Sequence, residues 1–391
     1  MEQLAAVMMQ LIRSEVCGEP VDGDIRRLLS DDFLKRLYRL SKSHDLAHLV
    51  GAALDGAGWL PQGEVAEQFR QQTFLSVYRY ERMQYELTQV SALLEQEHIC
   101  FIPLKGAVIR QYYPEPWMRT SCDVDILVHR EELERAREAL AAKLHYRLDA
   151  ESTYDVALNS ESGVHLELHY SLLDQEEDSP AKACLMEVWS NAAAGKGGYA
   201  YELSDAMFYT YHIYHMAKHI ILGGCGVRPL LDTWILNHRA SFDPAKRLEL
   251  LRQSGLDIFA AQAEALSEVW FTGAPHTELT AQLQDYILQA GVYGNLRNKV
   301  AVQQVRQGGK IRYLLSRIWM PYHILCLHYP SLNGRKWLLP FYEIRRWCGL
   351  LFGGGAKRGM QEMSIQKDIT DEQQKRTRAM LQELGLTKRQ S

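Results

Sequence analysis

The first 92 residues place apolar side chains at intervals of three and four positions, as in "DDFLKRLYRLSKSHDLAHLVGAAL" from Asp31 onwards. That spacing aligns them along one face of a helix. The same segment is rich in Leu, Ala, Glu and Arg, which favour helices. We therefore predict a helical N-terminal region over residues 1–92.

The pattern then changes to short runs with a period of two, which is typical of strands with one buried face. In chain order the runs are "HICFIPLKG" (98–106), "CDVDILV" (122–128), the helical "REELERAREALAAKLHYR" (130–147), "STYDVALN" (152–159) and "GVHLELHYSLL" (163–173). The last two are joined by a polar turn and predict a hairpin. A short helix follows the first run. This alternation predicts a small core of strands and helices over residues 93–200.

Helical spacing returns over residues 201–305. The remaining segment, 306–391, mixes aromatic and basic residues with prolines and ends in a predicted helix with Thr370 and Gln373 as a capping box and Gly385 as its stop. The predicted fold class is α+β, with a small mixed sheet flanked by N-terminal and C-terminal helical regions.

Composition adds the class of protein. With 391 residues, 47% of them hydrophobic and 24% charged, the chain is long enough for two or three globular domains. No apolar run approaches the ~20 residues of a membrane-spanning helix, and the N-terminal apolar stretch has Glu2 ahead of it where a signal peptide would be basic. The seven cysteines form no Cys-x-x-Cys pair. We expect a cytoplasmic protein.

Charge is distributed unevenly. Residues 301–391 contain 16 Lys and Arg and six Asp and Glu, which gives this segment a net charge of +10. Because the whole chain has a net charge of −4, residues 1–300 have a net charge of −14. A basic segment of this kind can contact nucleic acid, acidic lipid or the acidic remainder of its own chain. Its aromatic residues are equally compatible with core packing, with stacking on RNA or with a membrane surface.

The candidate chemistry begins with two aspartates on one strand. Asp123 and Asp125 point to the same side, while Val124 and Ile126 point to the core. Two adjacent carboxylates require a cation between them at neutral pH, and Mg²⁺ binds carboxylate oxygens together with water and phosphate oxygens. The pattern therefore indicates a metal site.

Two other segments complete this candidate site. On the later strand, Glu167 shares one face with His165 and His169, so it becomes a third carboxylate at the metal if the two strands are neighbours. In the turn before the first aspartate, Gly106 lets the backbone approach a phosphate, and Lys105 adds a positive charge. A phosphate-containing substrate is expected.

The segments "PLKGAVIRQYYPEPWMRTSCDVDILV" (103–128), "HLELHY" (165–170) and "HIYHMAKHIILGGCGVRPLLD" (212–232) resemble the bacterial family of uncharacterised nucleotidyltransferases, within the polymerase-β-type superfamily. The helical "SKSHDLAHLVGAALDGAG" (41–58) is also similar to the family. The sequence departs from the family pattern at two sites. Glu167 stands where an aspartate is usual, and Lys105 replaces a usual serine.

The resemblance implies a polymerase-β-like core at 93–200 and a helical domain at 201–305 that closes the nucleotide cleft. It implies two Mg²⁺ ions, or Mn²⁺, bound by the catalytic residues Asp123, Asp125 and Glu167. These ions would position an NTP such as ATP for NMP transfer to an acceptor hydroxyl on a small molecule, an RNA end or a peptide. The residues expected to neutralise or bind the triphosphate are Lys105, Gly106, Arg119, Lys218 and Arg228; those expected to support the site are Ser121, His169, His215, His219 and Asp232.

Three histidines, His212, His215 and His219, fall near one face of a predicted helix. They are compatible with metal binding or with hydrogen bonds across a helix interface. Asp232 can likewise orient Arg228 through a bidentate pair or simply join two helices. These alternatives stay open at the level of sequence.

Two further functions are compatible with the same residues. A kinase-like phosphotransferase would use the same metal site for a different phosphoryl group. A nucleotide-binding or regulatory module with weak catalysis would follow from the changes at Lys105 and Glu167. A converging cluster of three carboxylates favours transfer chemistry, whereas a Glu167 turned away from the aspartates favours binding alone.

Overall fold

The computed structural model describes residues 2–174, 179–195, 197–292, 294–320, 322, 325–326, 329–352, 364–366 and 368–387. The basic segment predicted at 306–391 therefore lies only partly within the described residues. The chain divides into two compact units. The first comprises Met1–Met216 and Gly226–Ala281, and the second comprises Ala217–Cys225 and Gln282–Ser391.

The first unit contains most of the helices. The residues before 92 are mainly helical, and the fourth helix continues past this predicted boundary to Gln96. The helices of the first unit are α1 (Glu2–Cys17), α2 (Asp31–Ser43), α3 (Ala47–Gly56), α4 (Glu64–Gln96), α5 (Gly106–Ile109), α6 (Leu133–Leu144), α7 (Ala181–Met186), α8 (Asp205–Ile221, which ends in the second unit), α9 (Arg228–His238), α10 (Pro244–Gln253) and α11 (Asp257–Phe271). The start of α2 illustrates the local cause. Ser30 accepts a hydrogen bond from the backbone N–H of Phe33, and Asp31 and Asp32 lie at the positive end of the helix dipole.

A five-stranded mixed sheet forms the centre of the first unit. Its strands are β1 (Phe101–Pro103), β2 (Asp123–Val128), β3 (Arg147–Glu151), β4 (Asp155–Asn159) and β5 (His165–His169), in the order β1-β2-β5-β4-β3. The pair β2 and β5 is parallel, and the other pairs are antiparallel. The α+β fold class and the hairpin of β4 and β5 are thus confirmed.

One face of this sheet is buried. Val124, Ile126 and Val128 of β2 pack with Leu166 and Leu168 of β5 in a core that also includes residues of α4 and α6. Each of these aliphatic side chains contributes roughly 1.5–3 kcal/mol on burial. Because side chains alternate along a strand, the opposite face presents the intervening polar residues.

Three strands were not predicted. All five residues of β3 are exposed, so the strand carries no apolar alternation that a sequence pattern could reveal. The short strands β6 (Ala192–Ala194) and β7 (Tyr201–Leu203) pair with each other. β6 consists of three alanines, and three residues in each strand are too few to show a period of two.

The second unit is helical in its described part. It contains the end of α12 (Glu278–Ala290), α13 (Leu296–Arg306), α14 (Lys310–Ile318), α15 (Leu339–Phe352) and α16 (Asp371–Glu383). The predicted capping box is confirmed, because Thr370 Oγ1 accepts the N–H of Gln373 and Gln373 Oε1 accepts the N–H of Thr370. The helix ends just before Gly385, which has a φ of 70°.

Several aromatic residues of this unit are exposed, which does not agree with the alternative that they pack in a core. Trp319, Trp337, Phe341 and Trp347 are exposed. Core packing is therefore wrong for these four side chains. No helix within the described residues is long and apolar enough to cross a bilayer.

Candidate active site

The acidic residues lie on two neighbouring parallel strands. The register of β2 and β5 places Asp123 beside His165, Asp125 beside Glu167 and Leu127 beside His169. Because residues in register on adjacent strands point to the same face, Asp125 and Glu167 converge on the face opposite the core. The two strands are thus neighbours, which was the condition for Glu167 to join the aspartates, whereas the catalytic roles stay predictions.

A lysine and a histidine lie between these carboxylates. Lys105 Nζ donates to Asp125 Oδ1 at 2.6 Å and is 3.9 Å from Glu167 Oε2. His169 Nε2 lies 3.0 Å from the same Asp125 oxygen and 3.2 Å from Glu167 Oε2. The repulsion between neighbouring carboxylates is therefore offset by side chains of the protein itself.

The pKa values reflect this arrangement. Burial raises the pKa of Asp125, but the charge of Lys105 and the hydrogen bond from His169 outweigh burial and hold that pKa well below its usual range. Burial and the charge of Asp125 raise the pKa of Asp123. Burial lowers the pKa of Lys105, yet nearby negative charge leaves it well above the usual value. Asp125 and Lys105 thus form an ionised pair at neutral pH.

His169 is more central than predicted. Burial lowers its pKa, but its hydrogen bonds to Asp125 and Glu167 prevail, and the pKa is raised. Its other nitrogen, Nδ1, is buried without a hydrogen-bond partner among the described residues, and Asp155 Oδ2 lies 3.8 Å away. The period of two along β5 already placed His169 on the same face as Glu167, and this pattern indicated its position near the carboxylates.

The Lys105 and Gly106 turn is shaped by its surroundings. Lys105 has a φ of 44° and a ψ of −115°, a conformation that disfavours residues with a side chain and is typical of functional sites. A Cβ atom at Gly106 would lie 2.6 Å from Nη1 of Arg119 and 3.1 Å from Oγ of Ser121. Packing therefore disfavours any larger residue at Gly106, independently of any phosphate.

Arg119 forms a buried ion pair. Its Nη2 donates to Asp232 Oδ2 at 2.9 Å and its Nε to Oδ1 at 3.3 Å, while the Tyr113 hydroxyl donates to Oδ1 at 2.8 Å. The prediction that Asp232 orients Arg228 is wrong, because this bidentate pair is made with Arg119. Burial lowers the pKa of Arg119 and the charge of Asp232 raises it above its usual value, so the guanidinium is fixed as a cation.

Two other predicted residues have structural partners. Arg228 Nη1 donates to the backbone oxygen of Thr120 at 2.9 Å and lies 3.4 Å from Asp45 Oδ2. Ser121 accepts a hydrogen bond from Arg110 at 2.9 Å and is buried. Both hold the segment before β2 in place, and sequence reasoning did not identify Asp45.

The histidines of α8 make different contacts. His212 Nε2 lies 3.0 Å from Thr233 Oγ1 and 3.2 Å from the oxygen of Pro229, so it bonds across to α9. His215 packs against Tyr211. Lys218 and His219 belong to the second unit. Within the described part of the chain, the two groups of ligand atoms compatible with a metal include none of the α8 histidines.

The residues that converge are therefore Asp125, Glu167 and His169, whose ligand atoms all lie within 4.8 Å of one another. Asp123 lies on the same face of the sheet.

The sequence profile described as "Uncharacterised nucleotidyltransferase" matches residues 32–272, which is more than half of the chain. The chain belongs to this nucleotidyltransferase family. The match includes all of the sheet and α8 to α11.

Comparison with other proteins adds one solved structure. The solution structure of the antibiotic-resistance factor ANT(2'')-Ia is similar with 13% sequence identity and a TM-score of 0.27, over 50% of this chain and 91% of that chain. The search of curated protein sequences found no match to this chain.

Proposed function

We propose that the chain transfers a nucleoside monophosphate from an NTP to a hydroxyl group of an acceptor, with divalent metal held by Asp123, Asp125 and Glu167. The register that places Asp125 beside Glu167, with Asp123 on the same face, carries this proposal. Membership of a nucleotidyltransferase family supports the reaction class.

The residues present fit a divalent cation. Carboxylate oxygens are the ligands of Mg²⁺ and Mn²⁺. Asp123 supports the fit, because burial and the neighbouring carboxylates raise its pKa, and a cation between the carboxylates would relieve that repulsion. His169 supports it as well, because its ligand atom lies within 4.8 Å of those of Asp125 and Glu167, and a neutral imidazole is a metal ligand.

The chain's own residues then take distinct roles. A bound metal would lower the pKa of the acceptor hydroxyl and neutralise phosphate charge. Lys105, whose side chain is 20% exposed, exchanges its bond to Asp125 for a phosphate oxygen when the carboxylates are neutralised. Glu167, with 25% exposure against 2% for Asp125, is the carboxylate that a substrate reaches.

The reaction balances with these groups. The acceptor oxygen bonds to the α-phosphorus, and the bond from that phosphorus to the β-phosphate oxygen breaks. Pyrophosphate leaves, and the hydroxyl proton passes to a carboxylate oxygen, for which Glu167 is the most accessible. The positive charges of Lys105 and Arg228 are candidates for binding the triphosphate. Arg119 is held in a buried ion pair with Asp232.

Labelled nucleotides test the proposal. The purified chain is incubated with each α-³²P-NTP, Mg²⁺ or Mn²⁺ and cell extract, and the labelled acceptor and released pyrophosphate are identified. Asp125→Asn and Glu167→Gln should abolish labelling. Asp149→Asn is the matched control, because it removes an exposed carboxylate from the same sheet. Full activity in both site variants would refute the assignment.

The same assay separates the alternatives. Transfer of label from γ-³²P-ATP with release of ADP identifies a kinase-like reaction. Nucleotide binding without transfer identifies a binding module. The position of Glu167, within 3.2 Å of His169 and in register with Asp125, supports transfer over binding alone.

A further inference from the structure

We propose a second metal site, formed by Cys100, His129 and Glu132 and suited to Zn²⁺. One ligand atom from each of these half-buried residues lies within 4.8 Å of the others. None of the three takes part in the proposed transfer reaction.

Strand pairing creates this cluster. The antiparallel register of β1 and β2 pairs Phe101 with Val128, so the next position places Cys100 opposite His129. Glu132 lies in the turn that follows β2, and its Oε2 accepts a hydrogen bond from the backbone N–H of Cys100 at 3.1 Å. The spacing of 29 residues between cysteine and histidine gives no zinc signature in the sequence.

Neighbouring side chains orient the ligands. The imidazole of His129 stacks on Trp189 with ring centroids 3.7 Å apart and planes 19° apart, and Trp189 packs edge-on against Tyr201. Arg135 lies 3.4 Å from Glu132 Oε1. A ring and a carboxylate held in this way lose less freedom when they bind a metal.

The ligand chemistry selects the ion. One sulfur, one nitrogen and one oxygen favour Zn²⁺ over Mg²⁺, and three protein ligands leave a fourth position for water or a small ligand. Binding forms a zinc–sulfur bond and releases the thiol proton of Cys100 to solvent.

The two proposed metal sites are separate. His129 follows Asp125 by four residues along an extended segment, which corresponds to roughly 13 Å. A zinc ion here would join β1 to the end of β2 and to the turn before α6. Because Lys105 lies two residues after the end of β1, this clamp would help to hold the lysine in its position beside Asp125.

Cobalt substitution gives a direct test. The full chain, reduced and freed of metal, is titrated with Co²⁺. A thiolate-to-cobalt charge-transfer band and intense visible bands of a tetrahedral ion are expected, and Zn²⁺ should displace them. Cys100→Ser should abolish the charge-transfer band. His129→Ala and Glu132→Gln should weaken binding by roughly tenfold to a hundredfold or more.

Two controls separate this site from the active site and from other thiols. Asp125→Asn and Cys184→Ser should both leave the charge-transfer band intact. Absence of the band in the unaltered chain, or a band that survives Cys100→Ser, would overturn the proposal. Because nucleotidyl transfer is not the readout, failure here leaves the proposed function standing.

A second inference rests on a different feature, the exposed aromatic stripe of the second unit. Trp337, Phe341 and Ile344 are 78%, 63% and 63% exposed. Their spacing of four and then three residues places them on one face of α15 and the turn before it. So much exposed apolar surface on one helix face indicates a contact with another phase or molecule.

The charges near the stripe identify the partner. Arg335, Lys336 and Arg345 are exposed. The acidic residue of this helix, Glu343, is buried and paired with Arg346 at 2.9 Å. Aromatic and apolar side chains flanked by exposed cations are typical of helices that lie on anionic lipid. We infer that this stripe binds the surface of an anionic membrane.

Vesicle sedimentation tests the inference. The full chain should pellet with vesicles that contain phosphatidylglycerol and remain in solution with pure phosphatidylcholine. The double variant Trp337→Ala and Phe341→Ala should weaken binding by roughly tenfold or more. Phe74→Ala is the control, because it removes an aromatic ring that is 68% exposed on α4. Equal binding by the double variant, or binding to single-stranded RNA but not to vesicles, would overturn the inference.

Discussion

Replacing Asp125 with asparagine removes a buried negative charge and keeps the shape of the side chain. The local sequence predicts that stability is unchanged or increases, because one of two neighbouring carboxylates is neutralised. The structure reverses this expectation. Asp125 Oδ1 is 2.6 Å from Lys105 Nζ and 3.0 Å from His169 Nε2. The substitution therefore removes the attraction of Asp125 to these two side chains, which is larger than the repulsion between the carboxylates.

The magnitude follows from burial. Asp125 is 2% exposed and Lys105 is 20% exposed, and removal of one partner from a buried ion pair costs roughly 3–5 kcal/mol. Glu167, 3.9 Å from the ammonium group, continues to neutralise part of the lysine charge. We therefore expect the lower end, about 3 kcal/mol, or a decrease of roughly 5–10 °C in the melting temperature of the first unit.

Thermal unfolding without divalent cations measures this effect, with Asp149→Asn as the control. The double variant Lys105→Met and Asp125→Asn should lose less than the sum of the two single variants, because the two groups interact directly. A melting temperature for Asp125→Asn that equals or exceeds that of the unaltered chain would refute the role of Lys105 as the compensating charge.

Four other predictions follow from the same geometry. Glu167→Gln should abolish transfer yet change stability by less than about 1 kcal/mol, because this carboxylate is partly exposed; a large loss of stability in unfolding experiments would contradict its assignment to substrate chemistry. Mg²⁺ should raise the melting temperature of the unaltered chain but not that of Asp125→Asn, and equal shifts would argue against the metal site. Gly106→Ala should cost roughly 1–3 kcal/mol, because the new Cβ displaces Arg119; an unchanged melting temperature would show that Arg119 relaxes freely. Asp232→Asn should cost roughly 3–5 kcal/mol at neutral pH. Burial raises the pKa of Asp232, but the charge of Arg119 outweighs burial and lowers that pKa. The contribution of this ion pair to folding stability is therefore complete above the unfolded pKa of about 3.9 and is lost as the pH falls through the folded pKa. The unfolding midpoints of the unaltered chain and of Asp232→Asn should converge from neutral to acid pH, and a constant difference between them would contradict this assignment.

Several elements could be predicted because their causes are local. The helices α1 to α4, the capping box at Thr370 and the strands β2, β4 and β5 follow from spacing and from residue type. The shared face of Asp123 and Asp125 follows from the pleat of a single strand. The strand β3 could not be predicted, because none of its side chains is buried.

What the sequence by itself determined is which side chains share a face of a strand or helix, since that depends on backbone geometry within a few residues. Only the tertiary structure decided which charges meet. Lys105 reaches Asp125 across 20 positions of the chain, and Arg119 pairs with Asp232 across 113. Cys100 meets His129 through strand pairing alone. The reason is physical: electrostatic attraction and metal binding depend on distance in space, and folding sets that distance.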